Sequence, residues 1–202
     1  MFLEPNERPY FPTLLLWCRS MYAGTFPEKV DRLILLEGGA PLTLEPAKTP
    51  DQLRDHIQST VRMRTGRDGN KVYASLEEMR QRMLDRPLTP AAADHLLEYG
   101  AETLPDGTGW RFTHDRYLRV PSPFRMTNEH VFAFLRRVKS PTLMVMATHG
   151  WPFPAELVDG AEQALRECNE NSVTRLTVPG THHVHLEEPE IVAKHVTAFL
   201  SQ

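Results

Sequence analysis

Three of the nine histidines in this 202-residue chain, His182, His183 and His185, lie within four positions of one another. Histidine is the side chain whose charge changes near neutral pH, so it is the commonest general base in protein chemistry. An alternating run from Ser172 to Val178 precedes the cluster, and a helical pattern from Pro189 to Leu200 follows it. The histidines are therefore predicted to lie on a turn between a strand and a helix, where a rigid scaffold presents side chains for chemistry.

Two further strand candidates end in polar residues. The apolar run 32–37 ends in Glu37, and the run 141–147 is followed by His149. Such runs are typical of strands buried on both faces of a parallel sheet. Since ligands of open α/β sheets bind beyond the carboxyl ends of the strands, we expect Glu37 and His182 to pair there. The carboxylate would fix the imidazole tautomer, and the other ring nitrogen would accept a proton from a hydroxyl group.

Other interpretations of these side chains stay open on sequence grounds. Glu37 also fits a solvent-facing strand end or an ion pair with a nearby arginine, and His182 also fits a turn residue that the backbone satisfies. His183 and His185 are predicted to pack in the turn or to line a pocket. A metal site on the three histidines is disfavoured, because a turn does not direct three nitrogens inward and no fourth ligand is evident. We therefore predict no metal and no cofactor.

The order of the elements predicts an α/β fold with a parallel sheet. The first two strand candidates are separated by a mostly helical block, in which Ser75, Thr89 and Thr127 are predicted to cap helices. A further helix is predicted over residues 14–24, before the first strand, with Gly24 as its C-terminal stop. The stretch 107–124 shows no clear period and is predicted to be irregular.

The chain divides into three parts on this interpretation. Residues 17–39 and 139–202 form the α/β core, residues 40–138 form a helical lid inserted over it, and residues 1–16 are an atypical N-terminal segment. Four side chains are predicted to line a substrate pocket, with plain core packing as the alternative for the aromatic ones. They are His149, Trp151, Trp110 and Tyr117.

Composition argues against several classes of partner. The net charge of −3 and the pI near 6.3 give no electrostatic basis for binding nucleic acid. The two cysteines, Cys18 and Cys168, provide no disulfide framework, which fits a reducing, cytoplasmic location. No apolar run approaches the ~18 residues of a membrane span, and residues 1–10 do not resemble a signal peptide.

From Met21 onward the chain resembles the α/β-hydrolase superfamily, most closely the serine hydrolase-like proteins. The resemblance rests on TFPEKVDRLILLE at 25–37, PTLMV at 141–145 and VPGTHHVHLEEP at 178–189. It implies that His182 is the catalytic base and that the strand ending in Glu37 is the sixth of eight. Relatives carry the triad acid after that strand or after the next one. The later loop has no acid before Glu156, so the resemblance favours Glu37.

The sequence departs from the family at the nucleophile. No G-x-S-x-G motif occurs in the chain, and Ser20 lacks both flanking glycines. The family's usual spacing places the nucleophile near Thr13, where the sequence shows no elbow. The resemblance therefore implies an N-terminally truncated, partial α/β-hydrolase fold, with the C-terminal strands of the parallel sheet, flanking helices and a helical lid.

Two functions follow as expectations. The first is a serine hydrolase-like protein for an ester or similar small acyl substrate, with little or no turnover as this chain stands. The second is a non-catalytic binding protein that uses an exposed sheet edge and the lid groove. Self-association through that edge belongs to the second expectation, because an uncovered strand edge pairs readily with another chain.

Overall fold

The computed structural model describes residues 12–66, 71–86, 88–168 and 172–202, with only the backbone described for residues 12–18. The elements in chain order are α1 (Pro12–Thr25), β1 (Leu33–Leu36), α2 (Thr49–Arg64), α3 (Leu76–Leu84), α4 (Pro90–Gly100), β2 (Ala101–Thr103), β3 (Trp110–Phe112), α5 (Asn128–Leu135), β4 (Thr142–His149), α6 (Ala155–Cys168), β5 (Val173–Thr181), α7 (Val184–Glu187) and α8 (Pro189–Leu200). Short 3-10 turns lie at Pro27–Lys29, Pro46–Lys48 and Arg116–Arg119.

A three-stranded parallel sheet in the order β1-β4-β5 forms the centre of the fold. Leu33 of β1 pairs with Thr142 of β4, which pairs in turn with Val173 of β5. Because the strands are parallel, their carboxyl ends meet at one edge of the sheet. The predicted α/β class with a parallel sheet is confirmed.

Helices cover both faces of this sheet. Leu33, Leu35 and Met144 are buried in one apolar cluster with residues of α1, α5 and α6. Leu143 and Val145 belong to a second cluster, which residues of α7 and α8 complete. Successive strand residues point to opposite faces, so a continuous apolar run is what a strand covered on both sides requires.

The segment between β1 and β4 contains its own small core. Tyr73, Met79 and Leu97 are buried together, and β3 packs against them through Trp110 and Phe112. The antiparallel pair β2–β3 lies partly inside the stretch predicted to be irregular. Helix α5 falls within the range predicted as lid, yet it packs against α1 and α6 beside the sheet.

The local signals at the helix ends have mixed outcomes. The hydroxyl of Ser75 accepts a hydrogen bond from the backbone N–H of Glu78 at 3.1 Å, and that of Thr89 from Ala92 at 3.2 Å, as predicted. Gly24 differs from the prediction, because α1 runs through Thr25 and Gly24 lacks the positive φ of a helix-ending glycine. Of the described helices, none has the length and apolarity needed to cross a membrane.

Candidate active site

Glu37 lies directly after β1, at the edge where the three strands end. Its backbone N–H donates to the carbonyl of Val145 at 2.7 Å, which continues the pairing with β4 by one residue. Its φ of 52° is in the left-handed region, which is uncommon for a residue other than glycine. This turn directs the side chain across the end of β4, and only 2% of that side chain is exposed.

The Glu37 carboxylate accepts hydrogen bonds from three groups. Its Oε1 accepts from the backbone N–H of Ala147, and its Oε2 accepts from the backbone N–H of Trp151 at 3.1 Å. Nδ1 of His182 lies 3.1 Å from the same Oε2. Both oxygens are therefore occupied by donors, which is the arrangement that offsets the cost of burying a carboxylate.

His182 follows β5 on the predicted turn, and 19% of its side chain is exposed. A carboxylate can only accept, so we assign the ring proton to Nδ1 and the lone pair to Nε2. This tautomer is the one that a general base needs when a carboxylate orients it. The structure thus brings together the two residues that the sequence singles out from opposite ends of the chain.

Glu187 holds the residue before His182 in place. Its Oε2 accepts from the backbone N–H of Thr181 at 3.0 Å and from the Thr181 hydroxyl at 2.8 Å. Its Oε1 accepts from the backbone N–H of Thr89, the cap of α4, at 3.3 Å. One carboxylate therefore connects the end of β5 to the start of a helix in the inserted segment. Sequence reasoning missed this contact, because nothing local indicates which distant N–H groups an acid will meet.

The four predicted pocket residues lie in different places. The Trp151 ring centroid is 5.7 Å from that of His182, and the tryptophan is 54% exposed. His149 is exposed at the end of β4, opposite Thr181. Trp110 packs against the core of the inserted segment, and Tyr117 is exposed on a 3-10 turn. Their role in binding a substrate stays a prediction.

The candidate nucleophile positions lie on α1. Thr13 is near the start of this helix, where side chains are not described, and Ser20 lies in its second half with 1% of its surface exposed. A usable serine needs a base within hydrogen-bond reach and donors for the oxyanion. The burial of Ser20 limits access of a substrate to its hydroxyl.

The other two histidines of the cluster follow His182 directly, His183 at the start of α7 and His185 within it. The ring of His183 lies 5.3 Å from that of His182 and 6.3 Å from that of His185, measured between centroids. Burial lowers the pKa of His183, and repulsion from His182, His185 and Arg86 adds to the effect, against attraction from Glu187. Burial also lowers the pKa of His185, with repulsion from His182 and opposing attraction from Glu187 and Glu37. Within the described ranges, no group of three His, Cys, Asp or Glu residues is arranged to hold a metal ion.

These lowered pKa values predict a loss of stability in mild acid. Below pH ~6.5 the unfolded chain binds more protons at His183 and His185 than the folded protein does. The free energy of unfolding should therefore fall as the pH drops from ~6.5 through the lowered pKa values, and this contribution should level off below them. Urea denaturation between pH 7.5 and 5 measures the effect.

The matched variants for this prediction are His183→Gln/His185→Gln and His95→Gln. The double variant should show a shallower dependence of stability on pH. His95 lies on the exposed surface of α4, so His95→Gln is the control for the replacement of a histidine outside the cluster. His114, whose pKa burial also lowers, is retained in every variant. An unaltered slope in the double variant would contradict the prediction.

The chain is similar in sequence to several curated proteins and in structure to several solved proteins. No protein-family model matches it. A "Probable serine hydrolase" of Drosophila melanogaster is 26% identical over 185 residues, which cover 90% of this chain and 56% of that protein. The crystal structure of a hypothetical protein from Pseudomonas aeruginosa PAO1 superposes with a TM-score of 0.73 at 31% identity, covering 91% of this chain and 62% of that one.

A thioesterase domain from the curacin biosynthetic pathway shares the fold as well, with a TM-score of 0.68 at 16% identity. It is matched over 91% of this chain and 62% of its own length. The chain therefore spans less than two thirds of each of these three proteins.

Proposed function

Because the chain belongs to the α/β-hydrolase superfamily, we propose that it carries the base and the acid of a serine hydrolase. His182 is the general base and Glu37 is the residue that orients it. The substrate class is an ester or a similar small acyl compound. The observation that supports this proposal is the hydrogen bond between His182 Nδ1 and the buried Glu37 carboxylate at the carboxyl edge of the sheet.

The chemistry follows from the tautomer. With its Nδ1–H held by Glu37, the imidazole accepts the hydroxyl proton of a nucleophile at Nε2 while the nucleophile's oxygen bonds to the acyl carbon. The imidazolium then donates that proton to the leaving alcohol, and the negative Glu37 carboxylate stabilises the positive ring throughout. The backbone N–H groups of Ala147 and Trp151 keep the carboxylate in place, so the ring does not have to be reoriented during the reaction.

We further propose that this chain has little or no turnover by itself. The 202 residues contain no G-x-S-x-G elbow, the strained turn that exposes a catalytic serine to both the base and the oxyanion donors. Ser20 is buried on a helix and has neither flanking glycine. The pair described above is therefore the acid–base part of a site whose nucleophile these residues do not provide in the usual form.

A fluorophosphonate probe tests this proposal, because it reacts covalently with an activated serine. We expect no labelling of the purified chain by mass spectrometry. We also expect that a longer form carrying an in-frame G-x-S-x-G segment ahead of α1 becomes labelled at that serine, and that His182→Ala abolishes this labelling. Labelling of Ser20 in the purified chain, lost in Ser20→Ala, would contradict the proposed lack of turnover.

One observation supports a second candidate, a non-catalytic interaction protein. Strand β1 is an outer strand of the three-stranded sheet, and its edge away from β4 pairs with none of the other described strands. Such an edge is a template for adding a strand from another chain. Light scattering on the same purified sample distinguishes this candidate, because it requires a self-associated or partner-bound state and a stable monomer would count against it.

A further inference from the structure

Gly150 lies against the carboxylate of Glu37. A Cβ atom built on Gly150 would lie 2.3 Å from Oε2, 2.4 Å from Oε1 and 2.6 Å from Cδ of Glu37. Atoms of a real side chain essentially never approach this closely, so any residue larger than glycine must displace the acid. The carboxyl group therefore occupies the space that a side chain at position 150 would fill.

The backbone at this position does not itself require glycine. Gly150 has no positive φ, in contrast to Gly38, Gly66, Gly107 and Gly180. Its N–H donates to the carbonyl of Ala147 at 3.3 Å, which closes a turn that other residues can adopt. Space for the carboxylate, rather than conformational freedom, is thus the requirement at position 150.

The end of β4 and the loop after it provide the hydrogen bonds that hold the carboxylate beside Gly150. On one side the carboxylate accepts from the N–H of Ala147, and on the other from the N–H of Trp151. Gly150 lies between these two donors in the chain and leaves a gap that the two oxygens enter. An acid at the end of β1 can therefore reach past β4 to His182 only if the loop between them has no side chain at this point.

We propose that Gly150 is a positioning residue of the active site, whose missing side chain seats the Glu37 carboxylate against His182. This inference rests on the proposed function, because it assigns Gly150 a role in orienting the base. Gly150 acts through Glu37, so its replacement should change the tautomer and the hydrogen bonds of His182 as well as stability.

The test is a double-mutant cycle with Gly150→Ala in the parent protein and in a Glu37→Ala background. In the parent, the added methyl group should lower the thermal midpoint by at least about 4 °C. In the Glu37→Ala background the same substitution should change it by less than about 1 °C, because the carboxylate that the methyl group meets has been removed. Gly100→Ala is the control, since a Cβ at that position has no described atom within 4 Å apart from its chain neighbours and the backbone of its own helix.

Nitrogen NMR of the His182 imidazole provides a second measurement. Its signals would not change if Gly150 only stabilised the fold. In the parent, the His182 ring should carry its proton on Nδ1, and Gly150→Ala should replace this signal with that of a mixture of both tautomers. Gly100→Ala should retain the parent signal. If Gly150→Ala does not fold, recovery of folding in the Glu37→Ala background still supports the inference, and failure of the double variant where Glu37→Ala alone folds overturns it.

Equal losses of midpoint in the two backgrounds, or a retained Nδ1–H signal in folded Gly150→Ala, would also overturn the inference. Neither result would affect the proposed function, since the His182–Glu37 pair of the parent would stand. Conversely, fluorophosphonate labelling of Ser20 would contradict the proposed lack of turnover without altering the cycle.

Discussion

Replacing Glu37 with glutamine is expected to lower the free energy of unfolding by about 2–4 kcal/mol, although the two side chains have nearly the same shape. The carboxylate has two acceptor oxygens, and backbone N–H groups donate to each of them. An amide offers only one oxygen. Whichever way it turns, its NH2 group faces the N–H of Ala147 or that of Trp151, and one buried donor loses its partner.

The charge adds to this cost. The ring of His182 donates to the same carboxylate, and a hydrogen bond to an ionised group is roughly twice as strong as one between neutral groups. If the amide turns its NH2 group toward His182, the ring must carry its proton on Nε2 instead. In that orientation the substitution removes the Nδ1–H tautomer together with part of the stability.

Urea denaturation measures the stability change, and Glu45→Gln is the matched control. Glu45 is exposed and forms an ion pair with Lys48 at 3.3 Å on the surface. Its replacement should alter stability by less than about 0.5 kcal/mol, as is usual for an exposed pair. Equal effects of the two substitutions would show that the buried contacts of Glu37 contribute nothing beyond a surface carboxylate.

The helix starts and the buried strands are the part of this fold that local sequence determines. Ser75 and Thr89 begin helices because a side-chain oxygen reaches the backbone N–H three residues later, a distance fixed by the chain itself. The run Leu33–Leu36 forms a strand that helices cover on both faces, and such a segment must be apolar at successive positions. The hairpin β2–β3 is harder to recognise, since strands of three residues are too short to show a period of two.

The pairing of Glu37 with His182 could be predicted from the sequence for a different reason. Parallel strands place their carboxyl ends at one edge, so polar residues that follow separate strands meet there without any sequence signal that links them. The sequence does not show what fixes their geometry. Thr89 and Glu187 are 98 positions apart, and their contact depends on how the inserted segment lies on the turn. The role of Gly150 could not be predicted either, because a glycine that follows a strand does not indicate which distant group lies against it.

The loop after β4 contributes to the surroundings of Glu37 through its backbone and through open space, without a side chain. In the family that this chain resembles, the triad acid follows either of two neighbouring strands. Here the loop after β4 carries no carboxylate at residues 148–151, and it contributes the N–H of Trp151 and the open space at Gly150 instead. The side chain of Glu37 comes from the end of one strand, and the loop after the next strand leaves the space in which its carboxylate lies 3.1 Å from Nδ1 of His182.

Gly24→Ala is expected to destabilise the protein by about 1–3 kcal/mol, against the preference of an isolated helix. Alanine in a helix interior is favoured over glycine by about 1 kcal/mol, so propensity alone predicts a gain. Packing reverses the sign. A Cβ on Gly24 would lie 2.2 Å from the carbonyl oxygen of Phe134 and 2.7 Å from its carbonyl carbon.

The obstacle is the backbone of α5, which cannot rotate away as a flexible side chain would. Relief therefore requires α1 and α5 to separate, and both helices contribute to the apolar cluster on one face of the sheet, through Ala23 and through Val131 and Leu135. Separation exposes part of that cluster to water, at roughly 25 cal/mol for each Å² of apolar surface.

Urea denaturation of Gly24→Ala and Gly100→Ala separates the two effects. Gly100 is the last residue of α4 and has open space on its empty side, so its replacement should be neutral or slightly stabilising. A gain of stability in both variants would contradict the close packing of α1 on α5. A loss confined to Gly24→Ala would show that this glycine is selected by the approach of two helices rather than by the end of one.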